Sequence, residues 1–223
     1  MKPLVIDVGG TNIKMLAKGE EDMRKFPSGP TLTAKQMVEG VLAATADWSY
    51  DAVSIGYPGP VTRGKPALEP KNLGPGWVDF DFAAGFGKPV KIMNDAAMQA
   101  LGSYEGGRML FLGLGTGLGS AMIVDGVIAP LELAHLPYKK GHTFEDYVGL
   151  RGLERLGKKK WQEAVEDVVA RLKAALLVDI VVLGGGNSKH LKDVPPGARL
   201  GTNRNAFIGG FRLWEPHLDE IRV

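Results

Sequence analysis

Leu4-Val5-Ile6-Asp7-Val8-Gly9-Gly10-Thr11-Asn12-Ile13-Lys14 is the stretch on which the reading of this chain turns. Leu4 to Val8 is a short β-rich run that the Gly9-Gly10 pair breaks; Ile13 to Ala17 is a second run, closed by Lys18-Gly19. The same grammar returns later. Strands over Met109 to Leu114 and Ser120 to Val124 flank Gly115-Thr116-Gly117-Leu118-Gly119, and Asp125-Gly126 marks a further hairpin turn. Two strand–glycine turn–strand units of this kind point to a duplicated unit with related halves; since β-hairpins with glycine turns are common, coincidence is the alternative.

Glycine-rich turns let backbone N–H groups converge on phosphate oxygens, because no Cβ blocks the approach and positive φ is accessible. In the first turn Gly9 and Gly10 supply that backbone, Thr11 and Asn12 add short donors, and Lys14 adds a cation. Asp7 ends an apolar strand, where an ionised carboxylate is costly unless it meets donors, water or a metal. Magnesium, directly or through water, is its natural partner beside a polyphosphorylated substrate. A self-capped hairpin turn is the alternative for Asp7 and Thr11. The second turn, with Gly115, Thr116 and Gly117 at its centre, is no Walker A loop, since no Gly-Lys-Ser/Thr follows. Nor is it a dinucleotide fingerprint, because the chain continues as strand rather than helix.

Transfer of a phosphoryl group to a hydroxyl needs a residue that orients the nucleophile and takes its proton. Asp95 follows the strand Val90 to Met93 and opens an Ala-rich helix, and as an ordinary carboxylate it is ionised at neutral pH. Asn94 or Asp95 also reads as a helix N-cap, a role compatible with chemistry at Asp95. Glu132 and His135, three residues apart, would share a face if locally helical and would then grip adjacent hydroxyls. Glu145 and Asp146 open a helical stretch, where carboxylates complement the helix dipole.

Around these motifs the chain alternates strands and helices. A helix is expected over residues 33–46, a strand over 52–57 ending at Pro58-Gly59-Pro60, and a Gly-, Pro- and aromatic-rich stretch over 61–87. Residues 144–177 read as mainly helical with a break near Gly157, followed by a strand ending in Gly184-Gly185-Gly186. A closing helix over 206–214 carries Gly209-Gly210, which allows close approach of backbone. Lobes of residues 1–95 and 96–223 follow, with the last helix packing back on the first.

Composition narrows the class. With 44% hydrophobic and 23% charged residues the chain is an ordinary globular one, and without cysteine it has neither disulfides nor thiol chemistry. No apolar run approaches the ~20 residues that span a bilayer, and the start of the chain does not read as a signal peptide, so a cytoplasmic protein without membrane partners is expected. A net charge of +2 does not call for nucleic acid.

Asp7-Val-Gly-Gly-Thr-Asn-Ile-Lys14, Gly56-Tyr-Pro-Gly59, Asn94-Asp-Ala96, Leu114-Gly-Thr-Gly-Leu-Gly119, Glu132-Leu-Ala-His135 and Gly184-Gly-Gly186 occur together and in this order. In that set the chain resembles the ROK family of sugar kinases and repressors, most of all its polyphosphate glucokinases. The resemblance implies an α/β, actin-like ATPase (ribonuclease H-like) fold, duplicated into two lobes around a central cleft. It implies transfer of a phosphoryl group from polyphosphate or ATP, with Mg²⁺, to the 6-hydroxyl of glucose, by a homodimer. Asp95 would be the base. Asn94, Glu132, His135 and Glu145 would bind the sugar hydroxyls, with Asn72 bordering the pocket and Gly59 against the sugar. Gly9, Gly10, Thr11, Asn12, Lys14, Gly115, Thr116 and Gly117 would hold phosphates, and Gly184, Gly185 and Gly186 would lie near a nucleoside.

Two departures qualify this. Many family members follow Glu-x-x-His with a cysteine-rich zinc loop, whereas here Leu136 to Phe144 has no cysteine, so no zinc is expected. Without N-terminal DNA-binding helices the repressor branch is not expected either. Lys14, Lys189, Arg199 and Arg204 are candidates for a groove along a polyphosphate chain. A kinase for another hexose (mannose, fructose or an N-acetylhexosamine) and a non-catalytic sugar sensor are the alternatives.

Overall fold

The computed structural model describes residues 1–202 and 204–215. Its chain divides into two units, Met1–Met98 with Ala206–Val223, and Gln99–Asn205. The sequence reading put the boundary at residue 95 and ran the second lobe to residue 223. The units instead divide after Met98 and again before Ala206, and residues 216–223 lie outside the described residues.

Unit 1 opens with a meander, β1 (Pro3–Val8), β2 (Asn12–Ala17) and β3 (Arg24–Pro27). Then come α1 (Ala34–Ala44), β4 (Ala52–Tyr57), a small hairpin of β5 (Val61–Thr62) and β6 (Lys65–Pro66), α2 (Phe82–Phe86) and β7 (Val90–Asn94). The sheet runs β3-β2-β1-β4-β7, antiparallel through the meander and parallel from β1 to β4 to β7. Every residue of β4 is buried, as a parallel strand covered on both faces requires. The helix α1 starts where Thr33 and Gln36 close a capping box, and it buries Ala34, Met37, Val38 and Val41 at helical spacing. Burial of Met37, Val38 and Val41 contributes about 1.5–3 kcal/mol each.

The helix α3 (Asp95–Ser103) carries the chain into unit 2. There β8 (Arg108–Leu114), β9 (Leu118–Val124) and β10 (Val127–Leu131) form a second meander, followed by α4 (Phe144–Val148), α5 (Leu150–Leu176), β11 (Ile180–Gly184) and β12 (Ala198–Leu200). The sheet order β10-β9-β8-β11-β12 repeats that of unit 1: three antiparallel strands, then two parallel ones. The expected break at Gly157 is present, with φ 71° and ψ 162°, a conformation that glycine alone adopts without strain. Trp161 is fully buried, and its Nε1–H donates to Val148 O at 2.9 Å.

The closing helix α6 (Asn205–Arg212) places Gly210 against β1: a Cβ there would come within 2.3 Å of Val5. Its carbonyl accepts the buried Ser54 hydroxyl at 2.6 Å, and Ser54 in turn accepts Trp214 Nε1–H at 2.8 Å. The sequence reading did not give α2 or β12. The first is a five-residue helix inside the aromatic-rich stretch, capped by Asp81 and ended by Gly87 in the left-handed region; the second is only three residues long.

Candidate active site

In unit 1 the strand register brings the charges together. Asp7 on β1 stands directly opposite Lys14 on β2 and beside Gly56 on β4, and Lys14 Nζ lies 3.4 Å from the Asp7 carboxylate. Burial raises the pKa of Asp7, and the Lys14 ammonium only partly offsets that. The first turn closes through Gly9 N–H to Asn12 O, 3.1 Å. It is held from outside by Ser28, whose hydroxyl donates to Gly9 O at 2.6 Å and whose N–H donates to Thr11 O at 3.0 Å. Gly10 leaves room for Asn72: a Cβ on it would sit 3.3 Å from the Asn72 Cβ.

Asp95 is the first residue of α3. Burial and the nearby negative charge of Asp7 push its pKa up to about 7, and the Ala96 N–H, donating to the carboxylate at 2.7 Å, counters them only in part. The ordinary carboxylate expected from sequence is therefore a group poised to exchange its proton near neutrality. Asn94 takes the capping role. Its Oδ1 accepts the Ala96 and Ala97 N–H groups at 3.0 and 3.2 Å, and its Nδ2 donates to Gly59 O at 3.0 Å. Asn94, Gly59 and Asp95 are thus one local assembly.

In unit 2 the second turn carries no charge of its own. Gly115 N–H donates to Gly117 O at 3.0 Å, and the Leu150 N–H that opens α5 donates to Gly115 O and Thr116 O at 3.0 and 3.3 Å, so the turn caps that helix. Glu145 on α4 reaches the same turn: its Oε2 accepts the Leu118 N–H at 3.2 Å. The third glycine run joins from the other side. Gly185, at φ 81°, packs against Leu114 O, while Asn187 donates its N–H to Leu114 O at 2.9 Å and its Nδ2–H to Gly115 O at 2.8 Å. Gly184 faces the Phe111 ring, 2.6 Å from where a Cβ would be, and Gly186 is open.

The glycines of the two turns are not needed for handedness, and at two of them size matters. None of Gly9, Gly10, Gly115 and Gly117 adopts a positive φ. Instead a Cβ on Gly9 would strike Asn12 O at 2.9 Å, and one on Gly117 would strike Glu145 Oε2 at 2.4 Å. Thr11 and Thr116 are both exposed at the turn tips.

Glu132 and His135 lie in a turn, not a helix, yet still meet, 3.9 Å apart and both well exposed. Glu145 belongs with them, since its N–H donates to Ala134 O at 3.1 Å. The following loop is fastened without cysteine. Tyr138 packs against Phe144 and Tyr147, and Asp167 on α5 accepts the Tyr138 hydroxyl, Lys139 Nζ at 2.8 Å and Arg171 Nε at 3.1 Å. Burial alone would raise the pKa of Asp167, but these donors together hold it far below the usual carboxylate range.

Of the proposed groove cations, Lys14 faces Asp7 and Lys189 is exposed. Arg199 donates to Ser103 O and pairs with Glu105 at 3.3 Å, which fastens the end of α3. Arg204 is exposed at the start of α6. Sequence reasoning missed Ser28 and Asn187; the second had a legible signal, an Asn directly after three glycines.

A magnesium ion keeps most of its waters and takes one or two carboxylates plus substrate phosphates. Asp7, with a largely buried carboxylate of 18% exposure and one cation at 3.4 Å, fits a magnesium that arrives with the donor. Among the described residues no three His, Cys, Asp or Glu converge as a metal-holding group.

A family model described as ROK family matches residues 4–130. A polyphosphate glucokinase of Mycobacterium leprae is 27% identical over 209 residues, 82% of this chain and 63% of that relative's length. An N-acetylmannosamine kinase of Vibrio vulnificus is 31% identical over 143 residues, 56% of this chain and 48% of its own. The crystal structure of an inorganic polyphosphate/ATP-glucomannokinase from Arthrobacter sp. strain KM superposes with a TM-score of 0.77 at 26% identity, covering 94% of this chain and 96% of that one.

Proposed function

The chain belongs to the ROK family, and from that premise we propose that it is a hexose kinase moving a phosphoryl group from polyphosphate or ATP to the 6-hydroxyl of glucose. The observation that carries this is Asp95, a carboxylate whose pKa is raised to about 7, held at the head of a helix beside Asp7. A base of that pKa is ionised in a large fraction of molecules at neutral pH and takes a hydroxyl proton readily. Relatives named for glucose and for polyphosphate support the choice of acceptor and donor, and the shared strand order of the two units supports the duplicated-fold reading.

In this reading Asp95 accepts the proton of the attacking hydroxyl. Asn94, whose Oδ1 caps the helix and whose Nδ2 reaches Gly59 O, orders the backbone around the base and keeps a second Nδ2–H for a sugar hydroxyl. Glu132, His135 and Glu145 bind sugar hydroxyls. The first and second turns present N–H groups to the donor phosphates, with Lys14 as the nearby cation and the third glycine run beside whatever follows the terminal phosphates. A donor-bound magnesium would be held through Asp7 and would neutralise charge on the transferring group.

The test is a panel of glucose, mannose, fructose and N-acetylmannosamine against ATP and polyphosphate at matched Mg²⁺, read as sugar phosphate formed. Glucose phosphorylation with at least one donor is expected. Phosphorylation of another hexose alone would move the assignment, and no turnover with any pair would favour the sensor.

A further inference from the structure

Glu145 is tied to two places at once. Its backbone N–H bonds Ala134 O in the turn carrying Glu132 and His135, at 3.1 Å, while its Oε2 accepts the Leu118 N–H of the second glycine turn at 3.2 Å. The missing side chain of Gly117 is what admits the carboxylate, since a Cβ there would lie 2.4 Å from Oε2. On the far side Oε1 takes Arg151 Nη2 at 3.5 Å. Both contacts are long for charge-assisted hydrogen bonds, which run ~2.7–2.9 Å, and the side chain is 23% exposed. The carboxylate is well placed but weakly held.

An anionic donor uses the N–H groups of such a turn. A phosphate oxygen approaching Leu118 N–H meets the Glu145 carboxylate already on that donor, and the two like charges repel. In the kinase reading sugar hydroxyls offer the same carboxylate a different set of donors, and its backbone bond to Ala134 O ties Glu145 to the segment that carries Glu132 and His135. We propose that Glu145 is shared between the acceptor and donor sites: it holds the Leu118 N–H until sugar hydroxyls engage it, and then leaves that N–H to the donor. The inference rests on the kinase reading above and adds to it a coupling. Sugar tightens donor binding, donor tightens sugar binding by the same factor, and the donor is poorly seated when only water is there to attack it.

The experiment is calorimetric titration of tripolyphosphate with Mg²⁺ into the full chain, with and without saturating 6-deoxyglucose, which lacks the accepting hydroxyl. The wild type should bind tripolyphosphate about 5–20-fold more tightly with the sugar present. Glu145→Gln keeps the shape and drops the charge. It should bind tripolyphosphate more tightly than wild type without sugar, and its sugar effect should shrink to about twofold or less. The sugar-free gain is the specific readout, because loss of sugar affinity alone does not produce it. Equal wild-type affinities with and without sugar overturn the inference without recourse to any variant, and so does a Glu145→Gln protein, folded by its thermal transition, that keeps the whole effect. Glucose phosphorylation by the same wild-type preparation separates the failures. If it is present while the coupling is absent, only the sharing is wrong; if it is absent with every donor, the kinase reading falls.

Discussion

The two sheets have the same strand order and differ most at one matched row. In unit 1 that row is Asp7 on β1, Lys14 opposite it on β2 and Gly56 beside it on β4. In unit 2 the corresponding strands place Gly113, Gly119 and Gly184. One strand order thus carries a charged, partly buried pair in unit 1 and bare backbone in unit 2. A buried carboxylate is unfavourable unless compensated, so unit 1 gives up stability to hold Asp7 and Asp95 close together. In unit 2 Gly113 and Gly184 leave room for the Phe111 ring, Asn187 and the start of α5 close on the turn through the carbonyls of Leu114, Gly115 and Thr116, and the carboxylate that reaches it, Glu145, comes from outside the sheet. The difference teaches that the fold supplies the placement of a turn while a few side chains at the strand ends decide its chemistry.

Asp95→Asn strikes the charged unit hardest. Turnover should fall about 10³-fold while sugar affinity changes little, as for loss of a general base. Stability should move the other way. The raised pKa means that the native state holds a proton which the unfolded chain has lost between about pH 4 and 7, so wild-type stability declines as pH rises through that window. The Asn variant escapes that decline, and its thermal midpoint at pH 7.5 should lie above wild type, a gain of about 1–2 kcal/mol. A variant both inactive and less stable would argue that Asp95 is a cap rather than a base.

The next largest effect is expected from Asp7→Asn. Removing this charge takes away the second cause of the high Asp95 pKa. In wild type kcat/KM should drop as pH falls below about 7, because the base must be ionised. In the variant that acid limb should move to lower pH while the maximal rate falls on the order of 10²-fold. A limb that stays in place would show that burial alone sets the pKa, and a pH–rate series on both proteins decides it.

Asn187→Ala tests unit 2 and should do least. It deletes the 2.8 Å bond to Gly115 O but leaves the backbone bond to Leu114 O. Loss of about 1 kcal/mol of positioning predicts a roughly fivefold rise in donor KM with sugar KM unchanged. If kcat falls as far as in Asp7→Asn, the division between a chemical unit and a holding unit is wrong.

Local sequence was enough for most of the elements that build the two sheets. Apolar runs broken by Gly9-Gly10 and by Gly115-Thr116-Gly117 gave the hairpins, Gly157 the break in the long helix, and Gly209-Gly210 the close approach of α6. Short elements such as β12 were not legible, because three residues carry no period. The candidate site was legible as a set of residue types, since Asp, Asn, Glu, His and paired glycines at chain breaks have few other uses. Their partners were not, because hydrogen bonds across tens of residues leave no spacing in the chain: Ser28 on Gly9, Asn187 on Gly115 and Asp167 under Tyr138 all depend on register and helix docking.

The sequence by itself determined where the turns fall, which strand ends carry carboxylates and that no thiol takes part, because these follow from side-chain identity and short-range pattern. Only the tertiary structure decided that Asp95 titrates near neutrality instead of as an ordinary acid, and that Gly117 makes room for Glu145 rather than for a left-handed turn. Burial and the charge of a neighbour distant in sequence set a proton affinity, and the space around a backbone atom is set by whichever element packs on it. Neither quantity exists until the chain has folded.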